Sequence, residues 1–223
     1  DSARPQGENL PGFVPWETTM QMVEGKWSGQ ILWIGLLLFA LALVLRVLFL
    51  QAIPPEAGLF NPYYKGDTPV WLDYASAIQA SRTYDLGLPL RPPGIAYLTA
   101  ILWNGQDSGL FILKLAWSFM GAMVVALFFI AVRRSFDLLV AVVSAFIVAA
   151  STGMIILSTS LNNEIPYLLL VIAGFSVWRE VRYRPRLYTL LLWSVLNGLA
   201  CLIRVEHVLF FAMASAYLVW AWS

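Results

Sequence analysis

The chain has 223 residues, 60% of them hydrophobic and 12% charged, with 14 Lys and Arg against 13 Asp and Glu and a formal net charge of +1. Soluble domains carry roughly 25% charged residues, so this much apolar surface cannot fit into one water-facing core and has to face lipid. The near-zero charge excludes a nucleic-acid-binding protein of the usual basic kind.

Residues 1–29 are mostly polar, with Gly, Pro and several acids, and read as an N-terminal tail. The chain begins at Asp1 rather than Met and stops inside the apolar run 212–222, so it is expected to be the N-terminal part of a longer membrane protein. Gln30 to Ile53 is the first predicted span. It is too long for a signal-peptide core and is expected to be retained. Arg46 lies near its far end. It is expected to snorkel to the headgroups or, alternatively, to face a polar cavity.

A polar island, residues 54–109, follows. Thr68 to Arg82 is predicted to form an amphipathic helix on the membrane surface, because Val70, Tyr74, Ala77 and Ile78 fall on one face at helical spacing. Pro93 to Trp103 is apolar but has about 11 residues, too few to span, and is predicted to be a juxtamembrane or re-entrant helix. Further apolar runs cover Leu110–Val132, Leu138–Ser158, Ile165–Trp178, Leu187–Ile203 and Val208–Trp222. The expected fold is therefore all-α: a polytopic bundle with about six spans over residues 30–223. The single cysteine, Cys201, sits in one of these runs; it can form no internal disulfide and reads as a packing residue.

Arginine placement orients the bundle. Arg133 and Arg134 follow one run, and Arg179, Arg182, Arg184 and Arg186 follow another, whereas the loop from Thr159 to Glu164 has no basic residue. The positive-inside rule then places the arginine loops and the N-terminal tail in the cytoplasm and residues 54–109 outside. Asn162-Asn163-Glu164 and Arg204-Val205-Glu206-His207 emerge on that same external side.

Those external residues carry the candidate chemistry. Asp67 is either the cap of the surface helix, with Pro69 in its first turn, or a general base held at the membrane boundary. It cannot easily be both, and Thr68 as the cap would free it. Arg91 precedes Pro92-Pro93-Gly94. It is either a loop arginine meeting lipid phosphates or a guanidinium fixed by the prolines to bind a substrate phosphate, with Lys65 assisting and Tyr64 nearby. Glu164 either favours the start of a helix by its charge or is a second carboxylate facing Asp67, able to orient an acceptor or hold a divalent cation. Arg204, Glu206 and His207 are either an interfacial ion pair with a neighbouring histidine or a phosphate or sugar site. His207 is the only histidine, which excludes a histidine-rich zinc site within this chain.

The order of these motifs resembles the membrane-embedded GT-C glycosyltransferases, most of all the protein O-mannosyltransferase and lipid A aminoarabinose transferase type. The matching stretches are Gly66-Asp67-Thr68 with Trp71-Leu72-Asp73-Tyr74-Ala75, Arg91-Pro92-Pro93-Gly94-Ile95-Ala96-Tyr97-Leu98, Asn163-Glu164-Ile165-Pro166, and Asn197-Gly198-Leu199-Ala200-Cys201-Leu202-Ile203-Arg204. Together they cover roughly residues 30–210. Two positions depart from the family pattern: Thr68 stands where a second acid is common, and Arg91 where lysine is common. The resemblance implies inverting transfer of a sugar from a polyprenyl-phosphate-linked donor to a hydroxyl of a protein, lipid or glycan acceptor outside the membrane. Asp67 would be the base, Arg91 and Arg204 would neutralise the departing phosphate, and Glu164 would position the acceptor or help hold a cation.

Two other classes fit the same features. One is an anionic-lipid transporter or flippase, against which the clustering of polar groups at one face argues. The other is a non-catalytic assembly subunit whose acids only cap helices.

Overall fold

The computed structural model describes residues 29–52, 67–81, 91–183 and 185–222, and their regular structure is all helical. In chain order the helices are α1 (Gly29–Ala52), α2 (Thr68–Ser81), α3 (Pro93–Leu102), α4 (Asp107–Arg133), α5 (Leu138–Ala150), α6 (Thr152–Thr159), α7 (Glu164–Tyr183), α8 (Leu187–Ile203) and α9 (His207–Trp222). Residues 1–28, 53–66, 82–90, 184 and 223, and with them the expected N-terminal tail, Tyr64, Lys65, Arg82 and Arg184, lie outside the described residues.

Helix α4 is the hub, packing against α1, α5, α6 and α7, while α7 pairs with α8 and α9 rests mainly on α8. The contact between α1, α4 and α5 is made by small residues. Ala141, Ala145 and Ala149 recur every fourth position of α5 and are fully buried with Ala42 of α1 and Ala122 of α4. Gly35 of α1 also faces the ring of Phe129, with an added Cβ falling at an ordinary contact distance of 3.6 Å from it. Small residues let apolar helices approach closely where burial from water gives little drive, as in lipid. The outward faces are correspondingly greasy: Leu37 is 67% exposed on α1 and Leu139 73% on α5.

Two helices, α1 and α4, are long and apolar enough to cross a membrane, and the bent pair α5–α6 makes a third if it counts as one span. This marks a membrane protein, but with fewer full-length spans than the six expected. Helices α8 and α9 have only 17 and 16 residues. Helix α7 carries Glu164 in its first turn and Arg182 in its last, which shortens its apolar stretch.

The run from Leu138 to Ser158, expected as one helix, breaks at Ser151 with a bend of 57°. Ser151 has extended backbone (φ −61°, ψ 119°) and ends α5 while starting α6. The cause is local: Ser151, Thr152 and Gly153 form a run of weak helix formers, and serine and threonine compete for backbone partners at helix ends.

Helix α2 forms as expected but presents Trp71, Tyr74, Ala75 and Ile78 inward, with Val70 and Ala77 at the margins. It packs against α3 and into a cluster with Ile95, Leu113, Trp117, Ile165 and Ile203. The indole of Trp71, rather than Val70, sets the buried face because it removes the most apolar area. Helix α3 is short, as expected, with Pro93 at its first position and an extended Pro92 before it.

Candidate functional site

Three backbone contacts bring the sequence motifs to one end of the bundle. The Thr68 hydroxyl donates to the Leu161 carbonyl at 3.1 Å, joining the start of α2 to the loop before α7. The Trp117 indole N–H donates to the Asn162 carbonyl at 2.8 Å, holding that loop to α4. Gly94 lies so close to the end of α8 that an added Cβ would stand 2.7 Å from the Leu202 carbonyl oxygen. Arg91-Pro92-Pro93-Gly94 is therefore set beside Leu202-Ile203-Arg204, as Asp67-Thr68 is beside Leu161–Glu164.

At that end the Asp67 carboxylate and the Arg91 guanidinium form a two-pronged ion pair. Nη2 donates to Oδ1 at 2.7 Å, and Nη1 donates to Oδ2. The two side chains remain 40% and 34% exposed, so the pair is open to solvent or substrate. Arg91 also lies over the Trp71 ring, its Cζ 5.3 Å from the ring centroid. Neither sequence-level alternative for the helix start is what forms. Asp67 supplies its carbonyl to the Trp71 N–H at 3.0 Å, but its carboxylate turns to Arg91. Thr68, the other candidate cap, uses its hydroxyl on Leu161.

Glu164 begins α7, and Arg204 ends α8; their charged atoms approach to 3.9 Å, with the side chains 43% and 40% exposed. Arg204 also covers the face of Tyr167, its Cζ 5.4 Å from the ring centroid. The site thus holds two acids, each matched with an arginine that also lies on an aromatic ring. Glu206 is not drawn in: it is exposed in the turn before α9 and contributes only its carbonyl, to the Leu209 N–H.

His207 turns inward and does not join Arg204 in a surface site as the sequence suggested. It is 2% exposed, and both ring nitrogens are engaged. Nε2 lies 2.9 Å from Asn197 Oδ1 and Nδ1 lies 3.0 Å from the Tyr167 hydroxyl. Asn197 donates its amide to the Trp193 carbonyl at 2.7 Å, which fixes Oδ1 as an acceptor. A neutral His207 therefore donates from Nε2 and accepts the Tyr167 proton at Nδ1. The chain Tyr167–His207–Asn197–Trp193 ties α7, α8 and α9 together. Tyr167 gave no sign of this in the sequence beyond lying three residues after Glu164.

Asn197 and His207 also line the wall of a groove of about 760 Å³ between α4, α7, α8 and α9. The rest of its lining is almost wholly apolar and includes Phe128, Phe175, Trp178, Phe210 and Met213. Its Asn197–His207 end adjoins Tyr167 and hence Arg204.

Arg46 is the second departure. Instead of reaching headgroups it is fully buried among α1, α4, α5 and α6. Nε donates to Ser158 Oγ at 2.6 Å, and Nη1 donates to the Ala42 carbonyl at 2.9 Å and more weakly to the Ala149 carbonyl at 3.5 Å. The Ala149 carbonyl is one of those left without a helical partner where α5 stops. Ser158 in turn donates to the Met154 carbonyl at 2.5 Å. Arg46 therefore staples the bent pair to α1, which a sequence showing only an arginine six residues before a helix end does not reveal.

A divalent cation fits poorly. Among the described residues no three His, Cys, Asp or Glu side chains gather, and the oxygens of Asp67 are already on a guanidinium. No protein-family model, curated protein or solved structure matches this chain.

Proposed function

We propose that the chain is part of a membrane glycosyltransferase that takes its sugar from a polyprenyl-phosphate-linked donor on the extracytoplasmic face. The observation that carries this reading is the Asp67–Arg91 pair, set beside Arg204 by the contact of Gly94 with the end of α8. A reaction that frees a phosphate needs cations where negative charge develops, and a hydroxyl nucleophile needs a carboxylate beside them.

In this mechanism Asp67 and Arg91 lock each other in the resting state. The donor phosphate competes for Arg91, whose planar fork matches phosphate oxygens as well as it matches a carboxylate. Asp67 is thereby released to accept the acceptor's hydroxyl proton. The alkoxide oxygen forms its bond to the anomeric carbon from the face opposite the phosphate, the carbon–oxygen bond to the phosphate breaks, and the configuration inverts. Arg91 and Arg204 hold the departing polyprenyl phosphate. Glu164, matched with Arg204, positions the acceptor. The apolar groove ending near Arg204 gives the isoprenoid chain a place among the helices. In this topology α7, α8 and α9 cross the membrane with α1, α4 and the bent pair, and the arginine-bearing loops are cytoplasmic.

Lipid mass spectrometry on gently purified protein, wild type beside Arg91→Ala, tests the reading. A polyprenyl phosphate or its sugar conjugate that co-purifies with wild type and is lost in the variant supports it. Bulk phospholipid alone in both preparations overturns it.

One observation favours a second reading, an anionic-lipid transporter: a buried arginine beside a broken helix is a feature of transport sites. The partners of Arg46 are a hydroxyl and carbonyls of the bundle itself, which suits a staple better than a pathway. Lipid scrambling in proteoliposomes that vanishes in Arg46→Gln, with Arg91→Ala still active, would favour the transporter.

A further inference from the structure

The two arginines of the candidate site are held in different ways. Arg91 is fixed by its two-pronged bond to Asp67. Arg204 stands 3.9 Å from Glu164, beyond hydrogen-bond distance, and among the described residues its guanidinium makes no hydrogen bond. An ion pair at that separation sets no plane for the group. The ring of Tyr167 does, with its centroid 5.4 Å from Cζ, because a cation favours the face of an aromatic ring.

Tyr167 is itself fixed at its far end. Its hydroxyl donates to His207 Nδ1 at 3.0 Å, and the two rings meet edge to face at 84° with centroids 5.4 Å apart. His207 is held in turn by Asn197 Oδ1 at 2.9 Å, and its backbone N–H donates to the Arg204 carbonyl at 3.1 Å. The contacts close a circuit: from Arg204 through the turn to His207, across to the Tyr167 hydroxyl, and back under the guanidinium. His207 and Asn197 are 2% and 4% exposed, so water does not compete for these bonds.

Buried polar side chains cost stability unless every one is satisfied, and apolar residues would pack α7, α8 and α9 together as well. This polar chain ends under the arginine whose guanidinium has no hydrogen bond of its own. We infer that Tyr167, anchored by His207 and Asn197, is the positioning residue for Arg204, and keeps its guanidinium flat on the ring to meet a phosphate. The meeting with a departing phosphate rests on the glycosyltransferase reading; the placement of Arg204 does not.

The test is nuclear magnetic resonance of the arginine side-chain N–H groups on the purified full chain, with the Arg204 signal assigned by its absence in Arg204→Lys. Tyr167→Phe keeps the ring but loses its anchor, and His207→Leu removes the anchor and leaves Tyr167 intact. Both are expected to make the Arg204 side chain mobile, while the signal of Arg46, buried elsewhere in the bundle, stays as in wild type. Undecaprenyl phosphate is then added. It is expected to bind wild type and Tyr167→Phe with similar affinity but to shift the Arg204 signal in wild type alone; undecaprenol, which has no phosphate, should not shift it. The inference is overturned if Arg204 stays as rigid in both variants as in wild type, or if Arg46 loosens with it, which would mean a general loss of packing. If Arg204 is rigid in wild type and mobile in both variants, yet undecaprenyl phosphate shifts it in neither, the positioning role stands and the assignment of Arg204 to the donor phosphate fails.

Discussion

Asp67 and Arg91, 24 positions apart in the chain, close on each other through two hydrogen bonds, and Arg91 rests on Trp71 one helical turn beyond Asp67. A carboxylate and a guanidinium at more than a third exposure contribute little to stability, about 0–1 kcal/mol. Their mutual hold therefore matters more for what each can do when the other leaves.

Separating stability from activity follows from that balance. Asp67→Asn is expected to abolish sugar transfer while shifting the melting temperature by only a few degrees. Arg91→Ala is expected to lower transfer by about 10²–10³-fold, the usual cost of losing one group that stabilises developing charge. The charge exchange Asp67→Arg/Arg91→Asp should keep the ion pair and the fold yet remain inactive. A transfer assay beside thermal unfolding in detergent decides it; an active exchange variant would show that the pair is structural only.

Gly94 is expected to tolerate no side chain. Its Cβ would meet the carbonyl oxygen and carbon of Leu202 at 2.7 and 2.9 Å, backbone atoms that cannot rotate away. Gly94→Ala should thus cost about 1–3 kcal/mol by overpacking, despite the better helix propensity of alanine. Gly198→Ala on α8 is the control: nothing lies within 4 Å of its Cβ position, so it should gain up to about 1 kcal/mol. Opposite shifts in melting temperature would establish the close approach that sets Arg91 beside Arg204.

Local signals in the sequence were enough for α2, α3 and the ends of α8, because prolines and apolar periodicity mark them within a few residues. They were also enough to gather Asp67, Arg91, Glu164 and Arg204 at one end, since loop sidedness alone does that. Which partner each residue takes depends on contacts between distant segments. Asp67 finds Arg91 rather than the helix end because Thr68 is anchored to Leu161, 93 positions away. Arg46 looked like a snorkelling residue because the run 138–158 reads as one apolar span; its Ser151-Thr152-Gly153 stretch hints at a break, but nothing local shows that the carbonyl left there receives an arginine of α1. His207 stood beside Arg204 in the chain, yet the turn at 205–206 sends the two side chains to different places.

Arg46 is expected to be the most sensitive residue of α1. Arg46→Ala leaves the hydroxyl of Ser158 and the bent pair without their link to α1, and opens a cavity in a fully buried site. The expected loss is about 2–5 kcal/mol, the range for a broken buried contact plus a void. Gly121→Ala should be harmful for the converse reason, because its Cβ would fall 2.3 Å from Ser158 Cβ and 3.0 Å from Arg46 Nε. If Arg46→Ala unfolds at the same temperature as wild type, the staple is refuted. In that case the arginine's place inside the bundle needs the transporter reading.

The chain from Tyr167 through His207 to Asn197 predicts a non-additive pair. Asn197→Leu removes the acceptor for the Nε2 proton and strands a buried donor, at a cost of about 1–3 kcal/mol. His207→Leu strands the Asn197 amide oxygen and also takes the acceptor from the Tyr167 hydroxyl, so it should cost at least as much. The double variant leaves leucines in contact and removes both members of the Asn197–His207 bond, with only the Tyr167 hydroxyl losing its acceptor, so it should be more stable than the sum of the single losses implies, by about 1 kcal/mol or more. The same variants read out the groove, because both residues line it. If the groove takes the donor's isoprenoid chain, the double variant should still bind polyprenyl phosphate, since a chain needs an apolar wall and no hydrogen bond. Ala214→Trp, which fills the groove from α9, should weaken that binding at an unchanged melting temperature. Binding that survives Ala214→Trp but fails in the leucine pair would mean that His207 itself meets the ligand, with the groove playing no part.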